Sequence, residues 1–172
     1  GDDRRQRQMC IRDRVSSYFA DWPFELSDFQ KWAIFAIHNN YDALVCAPTG
    51  SGKTLPSEFA IKYFVNKGKK IIYTTPIKAL SNDKMDELSK IFRQFSFGIL
   101  TGDNKQYPDA DVLVMTTEIY LNTLKKMSFL QENPDEANKI QLDFNIDIQN
   151  ELGCVVFLSL IHISEPTRRT QI

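Results

Sequence analysis

Eight residues, APTGSGKT at positions 47–54, constrain this chain more than any other part of it. They read as a phosphate-binding loop of the GxxxxGKT type, preceded by the apolar run Ala43, Leu44, Val45 and Cys46 and followed by a helix-competent stretch. That strand, loop, helix context separates a nucleotide site from a chance match. Gly50 and Gly52 allow a tight turn with inward-pointing amides, so the loop and the N-terminus of the next helix form a concave seat for a phosphate. Lys53 adds a point charge for the outer phosphate oxygens, and Thr54 offers a hydroxyl to Mg²⁺. Thr49 and Ser51 complete the loop. Pro56 fits the first turn of a helix, where its missing N–H has no intrahelical partner to lose. The expected ligand is therefore a nucleoside triphosphate with Mg²⁺.

The chain ends read differently from its interior. RRQRQMCIRDR at 4–14 and LSLIHISEPTR at 158–168 resemble conceptual translations of sequencing-library adapters. MCIRD can be encoded ATG TGT ATA AGA GAC, and the reverse complement, shifted by one frame, contains TCT CTT ATA CAC, which encodes Ser159, Leu160, Ile161 and His162. One core read from both strands thus accounts for both ends, and the native segment is expected to be residues 15–157. The alternative is a genuine basic arm and a genuine C-terminal strand. The two ends hold seven of the 21 Lys and Arg and four of the 22 Asp and Glu, so the interior carries a net charge of −4 where the whole chain carries −1. Cys46 and Cys154 remain, each in an apolar run, which predicts buried thiols, a reducing intracellular compartment (cytoplasm or nucleus), and neither a disulfide framework nor a zinc site. No stretch reaches the roughly 18 continuous apolar residues of a membrane span, and no signal peptide is visible.

Apolar runs alternate with amphipathic stretches through the interior, a pattern of βαβ units and a mostly parallel sheet in one α/β domain. Strands are expected at 43–46, 70–74, 97–100, 112–115 and 154–157, because short apolar runs are the text of strands buried on both faces. Helices are expected at 27–38, 53–66, 77–95 and 117–127. The segment 127–151 is polar, acidic and amide-rich, with Pro134 near its middle, and reads as a surface insertion: a tolerated loop elaboration, or else a partner-binding loop.

Four further motifs stand in order around the phosphate loop: PFELSDFQKWA at 23–33, TTPIKALSNDK at 74–84, TGD at 101–103 and TTEIYLNTL at 116–124. The series resembles superfamily 2 DExH helicases, most closely the antiviral (superkiller) and exosome-associated RNA helicase branch. That resemblance implies a RecA-like P-loop domain, the first of two, holding ATP and half of a nucleic-acid track. It implies that Phe24 stacks on adenine while Gln30 reads the amino edge, roles that suit an aromatic face and a bidentate amide. Ser27 and Gln30 equally have the spacing of a helix capping box, with Phe24 as an ordinary apolar staple.

The same resemblance places Thr75, Pro76, Lys78, Thr101, Gly102, Thr116, Thr117 and Glu118 along a single-stranded nucleic-acid backbone, RNA more than DNA. Taken alone, Thr116 or Thr117 also fits a helix N-cap, Lys78 a solvated lysine, and 101–103 a simple turn after a strand. Two positions depart from the branch's pattern: the loop reads TGSGKT where an alanine-containing TSAGKT type is common, and Asp83 stands where glutamine is common. The family's DExH carboxylates should follow the final strand, but Phe157 is followed by Leu158 and Ser159. The resemblance thus implies a C-terminally truncated motor domain that retains no catalytic residue and hydrolyses ATP poorly. A DNA helicase of the same superfamily, a P-loop kinase lacking these extra motifs, and a non-catalytic binding fragment are the alternatives.

Overall fold

Parallel strand pairing organises most of the chain. The computed structural model describes residues 15–48 and 50–159. The chain divides into two compact units, one running to Lys69 and the other starting at Lys70.

The first unit is helical among its described residues. Residues 15–19 are helical, followed by α1 (Asp28–His38) and α2 (Leu55–Asn66). Ile34 and Ile61 are fully buried, and the rings of Tyr18, His38, Phe59, Tyr63 and Phe64 form a connected set. Phe59 and Tyr63 stack at 5.5 Å, and Tyr18 meets both edge-on. Such pairs add directional preference to the burial of large apolar rings. The expected strand at 43–46 does not form: these residues carry no regular secondary structure, and Leu44 is 92% exposed. Four apolar residues are the right text for a buried strand, but a strand exists only through a ladder with a neighbour. No other strand occurs among the described residues of this unit. Cys46 is consequently exposed, and Cys154 is half-buried, so neither is the buried thiol that its apolar neighbours predict.

The second unit is a five-stranded sheet with helices on both faces, the expected α/β class. Its elements run β1 (Lys70–Thr75), α3 (Lys78–Ile91), β2 (Phe97–Leu100), β3 (Lys105–Gln106), β4 (Val112–Thr116), α4 (Thr117–Glu132), a 3₁₀ turn (Pro134–Glu136) and β5 (Leu152–Phe157). The spatial order is β3-β2-β4-β1-β5, with every pairing parallel except the β2–β3 hairpin. β1 and β4 form the centre, in register from Ile71 opposite Val112 to Thr75 opposite Thr116. The chain leaves β1 towards β2 and leaves β4 in the opposite direction, towards β5. With right-handed crossovers, α3 and α4 must then cover opposite faces.

Side-chain parity agrees. Ile72, Leu100, Leu113 and Met115 share the face that packs Ile119 of α4, whereas Thr75 belongs to the other parity and meets Ser81 of α3. Strand β3 has no apolar signal and escapes sequence reading. It is created by a turn in which the Thr101 N–H donates to the Asn104 carbonyl at 2.8 Å. Gly98 permits it, since a Cβ there would collide with the Tyr107 carbonyl oxygen of the returning chain.

The segment 127–151 is no mere surface insertion. Residues 128–132 extend α4 by more than a turn beyond the expected end, and Phe144 and Ile146, each 3% exposed, enter the core beside Leu113 and Met115. Phe144 lies parallel to Tyr120 with 6.5 Å between ring centroids. Their acidic and amide neighbours Asn145, Asp147, Gln149 and Asn150 remain exposed, which masks the two anchors in a composition reading. Replacing Phe144 with Ala should destabilise the chain by about 3 to 5 kcal/mol in urea unfolding. Asn145→Ala, next to it but exposed, should stay within about 0.5 kcal/mol.

Candidate functional site

Each unit carries one group of the residues singled out by sequence. In the first unit, Gln30 links a helix start to the phosphate loop. Its Oε1 accepts the Ser27 N–H at 2.9 Å, closing the α1 capping geometry, while its Nε2 donates to the Gly52 carbonyl at 3.0 Å. The capping reading of Gln30 is thus realised in the structure. The same amide is 5% exposed and fixed against the loop. Phe24 is 53% exposed, with its ring 6.1 Å from Trp22 and tilted to it.

The loop turns through two left-handed glycines, Gly50 at φ 81° and Gly52 at φ 79°. At Gly52 a Cβ would also sit 2.5 Å from Gln30 Nε2, so the amide end of Gln30 would have to shift. Ala47 occupies the first glycine position of the GxxxxGKT pattern, so Gly52, Lys53 and Thr54 carry the match. Ser51 closes the turn on the Pro48 carbonyl, through its N–H at 3.2 Å and its hydroxyl at 2.5 Å. Lys53 is exposed and Thr54 half-buried, and α2 begins at Leu55, two residues later than expected, with Pro56 in its first turn. Thr49 lies outside the described residues. An open turn, an exposed ammonium and a hydroxyl at a helix start form a donor set that fits a polyphosphate with a divalent cation.

In the second unit the remaining motif residues converge at the carboxyl edge of the sheet. Thr75 ends β1, Thr116 lies opposite it at the end of β4, and Thr101 directly follows β2. Open α/β sheets bind ligands outside this edge, where adjacent connections depart in opposite directions. Here that place lies between β1 and β4. The residues divide by exposure: Pro76, Lys78, Gly102 and Glu118 face solvent, while Thr75 and Thr101 are completely buried.

Thr75 and Thr101 therefore do not present their hydroxyls to a ligand in this structure; they hold the turns that carry the exposed groups. Thr75 Oγ1 donates to the Ile77 carbonyl at 2.9 Å and lies 2.6 Å from Ser81 Oγ, and its own carbonyl accepts the Thr117 hydroxyl at 3.1 Å. Thr101 Oγ1 accepts the Asn104 N–H at 3.2 Å. Thr116 Oγ1 accepts the Ile119 N–H at 3.5 Å, the N-cap of α4 that its sequence position allowed.

Two further participants lie inside the quoted motifs without having been singled out as site residues. Ser81 reaches Thr75 from a helix, a contact between elements of different period. Asp103 forms an ion pair with Lys78 across 25 residues. The Lys78 hydrogen bond holds the Asp103 carboxyl below its ordinary value. Such a depressed group contributes above its unfolded value, and its contribution fades as pH falls through the folded one.

Replacing Thr75 with Val leaves the buried Ser81 hydroxyl without its Thr75 partner, which should cost about 1 to 3 kcal/mol in urea unfolding. Adding Ser81→Ala should then cost much less than it does in the wild-type background, the signature of a shared bond in a double-mutant cycle.

Comparison with known proteins covers stretches of both units. A family model described as "DEAD/DEAH box helicase" matches residues 27–152. The chain is 47% identical over 147 residues to mRNA transport homolog 4 of Caenorhabditis elegans, covering 86% of this chain and 12% of that protein. It is 44% identical over 103 residues to Antiviral helicase SKI2 of Saccharomyces cerevisiae, covering 60% and 8%. With Exosome RNA helicase MTR4 of Homo sapiens it shares 41% identity over 118 residues, covering 69% and 11%. The chain thus spans about a tenth of the length of these curated relatives. The similarities fall in the antiviral and exosome-associated branch that the ordered motifs resemble. By the extent of the match from Ser27 to Leu152, this chain belongs to the DEAD/DEAH box helicase family.

Proposed function

We propose that this chain is the ATP-binding motor part of an ATP-dependent RNA helicase, holding ATP with Mg²⁺ in its first unit and a single-stranded RNA backbone on its second. The observation that carries the reading is the convergence of three separate polar turns, at 75–78, 101–103 and 116–118, on one carboxyl sheet edge. A backbone track needs hydroxyls, amides and helix starts repeated along a line and needs no base-reading groove. With an interior net charge of −4, affinity for phosphate must come from such local groups.

On the nucleotide side, Phe24 stacks on the adenine ring and Gln30, already fixed against Gly52, presents its remaining amide hydrogen to the base. Thr49, Gly50, Ser51 and Gly52 wrap the phosphates, Lys53 neutralises their outer oxygens, and the Thr54 hydroxyl serves Mg²⁺. Leu158 and Ser159 stand where the family motif places the acid pair, so the 172-residue chain binds ATP without turning it over efficiently. A second RecA-like domain and the unwinding activity belong to the longer protein.

Isothermal titration of the 172-residue chain with ATP and Mg²⁺ tests the nucleotide half. Lys53→Ala should weaken binding at least about tenfold, as expected for losing a charge-assisted phosphate contact. Equal affinity of the two proteins would sink the nucleotide site. Phosphate release should be equally low for both. Fluorescence anisotropy with a labelled single strand tests the other half: RNA should bind more tightly than DNA of the same sequence, and a preference for DNA would transfer the assignment to a DNA helicase.

A further inference from the structure

Lys78 is an ill-placed cation for the free chain. It occupies the first position of α3, where the helix dipole disfavours positive charge. The first turn of α3 contains no acidic residue, and its N-cap, Ile77, makes no side-chain cap hydrogen bond. What offsets the charge comes from elsewhere. Asp103, on the turn between β2 and β3, places Oδ2 against the Lys78 ammonium. Its other oxygen lies 3.3 Å from the Thr101 hydroxyl, whose one proton it shares with the Asn104 carbonyl at the same distance, while the Asn104 N–H anchors Thr101, so the carboxylate has a second contact beside Lys78. The Lys78 and Asp103 side chains remain 50% and 66% exposed. Exposed pairs of this kind are weak enough to be exchanged for a better anion.

We infer that Asp103 is a built-in competitor for the backbone phosphate: it occupies Lys78 in the free chain, holds the ammonium extended across the sheet edge, and is displaced when a nucleic-acid phosphate takes its place. The inference rests on the backbone track proposed above. A carboxylate and a phosphodiester offer Lys78 the same chemistry, anionic oxygens for one ammonium, so they cannot both hold it fully. Once displaced, the carboxylate lies beside the incoming strand and repels it. Asp103 therefore lowers affinity twice, by occupying the cation and by opposing the phosphate, and the arrangement favours ligands that engage several turns together over isolated anions. Release of the strand is correspondingly assisted, since the competitor never leaves the site.

The test compares the 172-residue wild type with Lys78→Ala, Asp103→Asn and Asp135→Asn. Binding of a fluorescein-labelled single-stranded RNA is read by anisotropy at a fixed, low salt concentration, after circular dichroism has confirmed matching folded spectra. Asp103→Asn should bind about two- to fivefold more tightly than wild type, the range that exchange of an exposed ion pair allows. Asp135→Asn, which removes the same charge on the 3₁₀ turn, should bind as wild type does. In the Lys78→Ala background the gain from Asp103→Asn should shrink, because no ammonium is left to release. If Asp103→Asn binds equally or more weakly while Lys78→Ala weakens binding, the competitor is refuted and the backbone track stands. An equal gain from Asp135→Asn reduces the effect to net charge and also refutes it. If Lys78→Ala binds as wild type does, Lys78 is not part of the track and both readings fall.

Discussion

The parallel pairing of β1 with β4 is the contact on which the second unit depends. These strands lie next to each other in space but are separated in sequence by α3, β2 and β3. Their register sets Thr75 opposite Thr116. Because the chain leaves the two ends in opposite directions, α3 and α4 start from neighbouring points and cover different faces. A crevice at the carboxyl edge follows from that topology before any side chain is considered. The nearby motif residues gather there because their strands end there.

Buried hydroxyls convert that backbone arrangement into a defined surface. Thr75 bonds across to Ser81 and forward to Ile77, and its carbonyl receives Thr117. The starts of α3 and α4 are therefore tied to the same strand end, and the exposed Pro76, Lys78 and Glu118 inherit their positions from it. A polar group in such a place is costly unless bonded, so its partners become strict requirements. Threonines in helicase-type motifs of this chain thus include supports, and an exposed lysine beside them supplies the charge. Gln30 works similarly in the first unit, with its one amide serving both the α1 start and the Gly52 turn.

Legibility varied with the range of the interaction involved. Helices α1 and α2 and strands β1, β2, β4 and β5 were visible because period and apolar runs are local properties. The error at 43–46 had the opposite character: its local text was right, but a ladder needs a neighbour, and Leu44 lies in solvent. Phe144 and Ile146 were hidden by the acidic and amide residues around them, since composition averages over a segment while burial selects single side chains. Strand β3 depends on the hairpin at Thr101 and on the space above Gly98, neither of which leaves an apolar signature.

By itself, the sequence determined the family and the α/β class, because these depend on residue type, order and short spacing. It also fixed the glycine turns of the phosphate loop, where positive φ admits few other residues. Tertiary structure decided which motif residues face solvent and which are buried supports. It buried Thr75 and Thr101, drew Ser81 to a strand end, and set Asp103 against Lys78 from 25 residues away. The physical reason is that exposure and charge pairing are properties of two or more distant segments at once, and no single stretch of chain encodes them.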